Sequence, residues 1–339
     1  MQDRTTISNH VTQPGRSLQD HALIGMAERL PVSAPTAVVS ISPIVLAAPG
    51  RDVELQMRIS APSTGSDLPI ILLSHGHGRS NNLSSLNGYG PLAHFWAAHG
   101  FVVIQPTHLS SKSLSLDANG PSGPLFWRSR VDDMTHIIDQ LDAIEVAAPH
   151  LAGRLDRGRI AVAGHSMGGH TASMLLGAQL TDPDTGVVLN LIEPRIKAGL
   201  LLAAPGNGGA DLSAYAAEHY TFFRHIGFAG MTTPALVIAG DADVSPHLTV
   251  RGADWHADPY ALSPGSKCLL TLAGAGHGLG GIAGYDASET TDESPEMVAA
   301  VQRLSWAYLR SALYPADTAW PAACAALAGL EALGRVECK

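Results

Sequence analysis

Residues 160–170 read Ile-Ala-Val-Ala-Gly-His-Ser-Met-Gly-Gly-His, and a helix-compatible run follows from Thr171 to Leu180. Four apolar residues make a buried strand, and Gly-x-Ser-x-Gly directly after it demands a sharp strand-to-helix turn. A Cβ at Gly164 or Gly168 would collide with a neighbouring strand or helix. Such a turn lifts the Ser166 hydroxyl above a sheet and sets the free N–H groups of a helix start behind it, where an oxyanion can be held. Ser166 is therefore the expected nucleophile. The alternative is a chance match in a chain with 35 glycines.

The remainder of the chain supplies a sheet for that turn. Apolar runs without alternation recur at 69–74, 101–105, 199–203, 235–239 and 268–273, with helical spacing at 92–98, 131–147, 171–180 and 295–313. Strands that are apolar on both faces need helices on both sides, and their alternation with helices predicts an α/β fold with a doubly wound, mostly parallel sheet. Residues 37–41 and 53–59 are expected as antiparallel edge strands. We assign 1–36 to an N-terminal extension, 37–315 to the catalytic domain and 316–339 to a C-terminal extension.

A serine hydroxyl needs an imidazole to take its proton, and in this topology that group follows the last strand. His277, flanked by Gly276 and Gly278 after the run 268–273, occupies that position; His247 and His256 follow no late strand. The run 235–239 ends in Gly240-Asp241-Ala242-Asp243. Asp243 is two residues into the loop and is expected to orient His277, with Asp241 as the alternative and a backbone-binding role otherwise. After the strand at 70–73 comes Ser74-His75-Gly76-His77-Gly78-Arg79. The backbone N–H groups of His77 and Met167 are the expected oxyanion donors. His75-x-His77 also has the form of a metal-ligand pair, but no Asp-His follows it. Arg79 is expected as a solvated turn charge.

Charge narrows the partners. The chain carries 30 acidic and 21 basic residues, so no basic field exists for nucleic acid. No apolar stretch approaches the ~20 residues of a transmembrane helix. Three cysteines, Cys268, Cys324 and Cys338, show no metal-ligand spacing, and neither a disulfide framework nor a zinc site is expected. Residues 1–10 lack the apolar segment of a secretory signal. A cytoplasmic location is expected, with secretion open had a signal been removed. No cofactor or metal is required by this set of groups, and nothing in the sequence speaks to oligomeric state.

With these elements in order, residues 36–314 resemble the α/β-hydrolase superfamily. Ser74-His75-Gly76-His77-Gly78, the turn Ala98-His99-Gly100-Phe101 into a strand, and Gly164-His165-Ser166-Met167-Gly168-Gly169 look like one bacterial branch of it. That branch holds dienelactone-hydrolase-like esterases, platelet-activating-factor acetylhydrolase-like proteins, chlorophyllases and cutinase-type polyester hydrolases. Dienelactone hydrolases proper use cysteine where Ser166 stands. Secreted cutinases carry an export signal and usually a C-terminal disulfide, and this sequence shows no clear form of either. The resemblance implies a serine carboxylesterase acting on a small-molecule ester, calcium-independent and selective for a short acyl group. Polyester or chlorophyll-type ester hydrolysis on the same triad is the alternative, and a catalytically silent binding module the alternative of another class.

Two inserts, 109–130 and 207–233, are long enough to wall a pocket. The first carries Phe126 and Trp127, expected to bind substrate; the second carries Tyr215, Tyr220, Phe222, Phe223 and Phe228. Neither clusters basic side chains. The expected substrate is an uncharged ester with an acyl chain of roughly C2 to C6 and an apolar or aromatic alcohol part.

Overall fold

The computed structural model describes residues 21–117, 123–285 and 287–339. A nine-stranded sheet forms the centre: β1 (Val38–Leu46), β2 (Leu55–Pro62), β3 (Leu68–Ser74), β4 (Val102–Pro106), β5 (Leu155–His165), β6 (Ile196–Leu202), β7 (Ala235–Gly240), β8 (Lys267–Leu272) and β9 (Gly334–Cys338). Their order across the sheet is β1-β2-β4-β3-β5-β6-β7-β8-β9. The six strands from β3 to β8 pair in parallel, while β1, β2 and β9 are antiparallel to their neighbours. This is an α/β protein with a large, mostly parallel sheet.

The uninterrupted apolar runs are explained by two cores, one on each face. Ile70, Leu72, Val102, Ile104, Ile160 and Val162 enter one, packed with Val131, Met134 and Ile137 of α2 (Trp127–Asp139). The intervening Ile71, Leu73, Phe101, Val103, Ala161 and Ala163 enter the other. There they meet Leu92 and Trp96 of α1 (Gly90–Ala98) and Val298, Val301 and Leu304 of the long helix Pro295–Leu313. Period-two alternation thus feeds both faces. Full burial of one such side chain contributes about 1.5–3 kcal/mol.

Three sequence expectations change. The helix expected over 171–180 begins earlier, as α3 (Met167–Leu175), and residues Gln179–Thr181 form a strand. That strand pairs with Val188–Asn190 and Ile226–Gly227 in a small antiparallel sheet that anchors the insert 207–233. The helical run at 131–147 is interrupted at Gln140, which separates α2 from Leu141–Ala147. A disulfide is present after all: Cys268 and Cys338 lie opposite each other on β8 and β9 and are joined at 1.98 Å, 70 residues apart in sequence. Spacing gave no hint of it because strand register, not a local motif, brings the pair together.

Both segments assigned outside the catalytic domain contribute to the body. Ala27 and Leu30 are buried in the second core, and β9 forms the far edge of the sheet. Among the described residues, no helix is long and apolar enough to cross a membrane.

Candidate active site

The turn after β5 places Ser166 at φ 53°, ψ −118°, directly before the first residue of α3. A side chain rarely adopts this positive φ, and packing around the turn holds it there. A Cβ at Gly164 would run into the Gly168 carbonyl, one at Gly168 into the Ser74 carbonyl, and one at Gly169 into Ala204. Glycine is therefore required where β5, α3 and β3 converge.

His277 sits in the loop after β8, with its side chain 37% exposed. Its Nδ1–H donates to Asp243 at 2.9 Å and 3.1 Å, one distance to each carboxylate oxygen. Asp243 itself is buried. Burial works against its charge, but hydrogen bonds from His256 and His277 outweigh that cost and hold the carboxyl below the usual range. Asp241 is exposed and accepts from the Gly274 N–H at 2.7 Å, the backbone role expected for it. Ser166, His77 and His277 line one cavity, and Ser166, His77 and Met167 line a second beside it. Ser166, His277, His77 and Met167 thus line adjoining cavities, and Asp243 is linked to them through His277.

Several supporting side chains were not foreseen. His165, the residue before Ser166, faces the His277 carbonyl with Nε2 at 2.8 Å and the Tyr89 hydroxyl with Nδ1 at 2.8 Å. Tyr89 in turn accepts from the Gly76 N–H at 3.0 Å. A carbonyl can only accept, so Nε2 carries the hydrogen, Nδ1 accepts from Tyr89, and the chain runs in one direction throughout. Burial, reinforced by the nearby His277, pushes the His165 pKa down to about 3, so this neutral tautomer persists across the working pH range. The two loops that must be in register, the one before His77 and the one carrying His277, are thereby joined.

Asp292 braces the same histidine loop, accepting from the N–H groups of Gly276 at 2.9 Å and Gly280 at 3.0 Å. From behind the oxyanion loop, buried Arg130 donates to the His75 carbonyl, to Ser110 Oγ at 2.6 Å and to Thr171 Oγ1 at 3.1 Å. Ser74 Oγ lies 2.9 Å from His108 Nε2, and His108 Nδ1–H donates to Asp133 at 2.9 Å. Asp133 also pairs with Arg51 at 2.8 Å. Apart from His165, Ser74 and His75, which sit within the motifs, these residues carry no sequence signal and are brought in by the fold.

The same groups include potential metal ligands. His75 has both nitrogens engaged: Nδ1–H donates to the Gly76 carbonyl at 2.6 Å, and Nε2 accepts from the His108 N–H at 3.1 Å. It offers no lone pair to pair with His77. Asp243, His256 and His277 bring three donor atoms within 4.8 Å of one another, and that is the one such cluster among the described residues. His256 Nε2 lies 3.3 Å from Asp243 and its Nδ1 faces the Ala204 carbonyl at 2.9 Å, so a second histidine reaches the carboxylate that orients His277.

Phe126 and Trp127 are buried, and neither lines the cavities at Ser166. Trp127 stacks on Phe222 with ring centres 6.0 Å apart, anchoring one insert on the other. The first insert reaches the cavity through Leu125, the second through Tyr220 and Phe223. No family model matches the chain, and no curated protein matches it.

Proposed function

We propose that this chain is a serine carboxylesterase of the α/β-hydrolase type, acting on small esters with a short acyl chain. The observation that carries the reading is Ser166 on its strained turn, sharing a cavity with a histidine whose Nδ1–H is bound by a buried carboxylate. His277 Nε2 is then the nitrogen left to take the hydroxyl proton. Ser166 attacks the ester carbonyl, and the N–H groups of His77 and Met167 receive the oxyanion. His277 returns the proton to the leaving alcohol, and water repeats the cycle on the acyl-enzyme. Asp243 keeps the imidazole in the required tautomer. The narrowness of both cavities supports small groups on either side of the ester.

The test is labelling by a fluorophosphonate, followed by a panel of nitrophenyl esters of graded acyl length. Label on Ser166, lost in Ser166→Ala together with esterase activity, is expected; a chelator should leave the rate unchanged. No label, or chelator-sensitive hydrolysis restored by zinc, would overturn the reading.

The Cys268–Cys338 bond favours a second reading on the same triad. Secreted cutinases usually carry a C-terminal disulfide, so polyester hydrolysis is the competing activity, checked by release of soluble products from a polyester film. Disulfides persist in oxidising compartments, which argues for a location outside the reducing cytoplasm.

A further inference from the structure

The nucleophile lies between two cavities whose walls differ in kind. One is walled by Leu125, Pro205, Tyr220, Phe223, His247 and Leu248 beside the oxyanion donors, with no carboxylate among them. The other is walled by His277, Gly278, Leu83, Ala283, Glu289 and Thr290, with an empty volume of about 320 Å³ including its open mouth. If the chain is the serine esterase proposed above, the two parts of the ester divide between these spaces in only one way. The leaving oxygen must receive its proton from His277, so the alcohol occupies the cavity that His277 lines, and the acyl group occupies the other.

The alcohol side holds the only carboxylate that lines either cavity among the described residues, Glu289. Its Oε1 accepts from the Ser80 N–H at 2.7 Å and its Oε2 from the Ser80 hydroxyl at 2.6 Å. A carboxylate has about four acceptor positions, and Ser80 fills one on each oxygen. Those bonds, together with the backbone N–H groups of Arg79 and of Glu289 itself, outweigh partial burial and hold the carboxyl below its usual range. Thr290 donates its own proton to the Gly284 carbonyl at 3.1 Å, so toward a ligand it too presents lone pairs. This wall accepts hydrogen bonds and offers almost none. A plain alkyl alcohol would strip water from Glu289 without replacing it, whereas a hydroxyl or ammonium would restore the lost bond.

We propose that Glu289 makes the enzyme selective for esters whose alcohol carries a hydrogen-bond donor near the ester oxygen, as in a diol or an amino alcohol. This departs from the apolar alcohol expected from the aromatic inserts. Of those aromatics, Tyr220 and Phe223 stand on the acyl side, Phe126, Trp127, Phe222 and Phe228 are buried, and Tyr215 is exposed.

The experiment compares propyl acetate, 2-hydroxyethyl acetate and 2-(dimethylamino)ethyl acetate near pH 7, where the last is a cationic donor. Each kcat/KM is divided by the ester's rate of hydrolysis by hydroxide, to remove intrinsic reactivity. At least one donor ester is expected to exceed propyl acetate by ~10-fold, and the larger of the two ratios tells whether hydroxyl or ammonium is recognised. In Glu289→Leu the preference is expected to collapse toward one. If Glu289 serves only to tether Ser80 and the oxyanion loop, all three esters lose rate alike and the ratio survives, which would overturn the proposal. Glu289→Gln keeps a carbonyl acceptor for Ser80, guards against misfolding, and should lose the ammonium preference first. Equal rates on all three esters in the wild type would overturn the selectivity while leaving the esterase standing. No hydrolysis of any ester, with no label on Ser166, would remove both.

Discussion

The ring of His165 donates to the backbone carbonyl of His277 across 2.8 Å, so the residue before Ser166 holds the loop of the proposed general base. Its other nitrogen leads through Tyr89 to Gly76, one residue before His77, a proposed oxyanion donor.

Tyr89→Phe deletes the middle of this chain and leaves a buried Gly76 N–H and a buried His165 Nδ1 without partners. We expect kcat to fall about 10- to 100-fold with KM changed less than about 3-fold, because positioning is lost rather than binding. Steady-state kinetics check the split. Affinity for a boronate that mimics the tetrahedral intermediate should fall in step with kcat, and an unchanged affinity would mean that Tyr89 is only a packing residue.

The two carboxylates after β7 separate cleanly. Asp243→Asn should reduce kcat by about 10⁴, since the amide no longer fixes the tautomer of His277. Asp241→Asn replaces an exposed acceptor of the Gly274 N–H and should keep most of the activity while lowering the melting temperature slightly. Kinetics and thermal melts of both variants decide the assignment.

Acid should destabilise the fold through buried neutral histidines. His165 and His170 are held at a pKa of about 3 against 6.5 in the unfolded chain, in both cases by burial first, with His277 adding for His165 and Arg130 for His170. Between those values the unfolded state binds a proton that the folded state does not. Stability is therefore lost as pH falls through 6.5 and stops falling for this reason near 3, at up to about 1.4 kcal/mol per pH unit per histidine. His170 makes no hydrogen bond from either nitrogen and lies edge-on to Phe222 and Phe223, with centres 5.3 Å away. Urea titrations at pH 7 and pH 5 should show a smaller acid loss in His170→Phe than in the wild type.

Replacing Cys268 and Cys338 together by serine removes a crosslink that closes about 70 residues. Chain entropy puts the loss near 4 kcal/mol. The melting temperature should drop by several degrees or more, and reduction of the wild type should reproduce the drop. Esterase activity at low temperature should survive, because the bond lies at the start of β8, at the opposite end of the strand from the loop of His277.

What could be read from the sequence followed from patterns with local physics. Ser166 stood out because a strand, a turn built on Gly164 and Gly168, and a helix must come in that order. His277 and Asp243 stood out because each follows a buried apolar run. Glu289, Asp292 and Tyr89 lie in irregular loops, and their roles arise only from the closure of one loop upon another. Phe126 and Trp127 illustrate the reverse case, since neither lines the cavities at Ser166. Aromatic density in an insert signals that the insert is anchored on the body of the protein as readily as it signals a pocket, and Trp127 and Phe222 stack within the core on one face of the sheet. The disulfide was hidden for the same reason, since register between β8 and β9 has no signature in spacing.

Strand β8 leads directly to His277, yet it gains its second neighbour only from β9, some 70 positions later. During synthesis the Ser166 turn, on strands already emerged, can form while His277 is still carried on an open edge of the sheet. The last residues of β9 close that edge. Under the proposed mechanism, a chain lacking residues 334–338 would hold Ser166 in place with a less firmly seated partner.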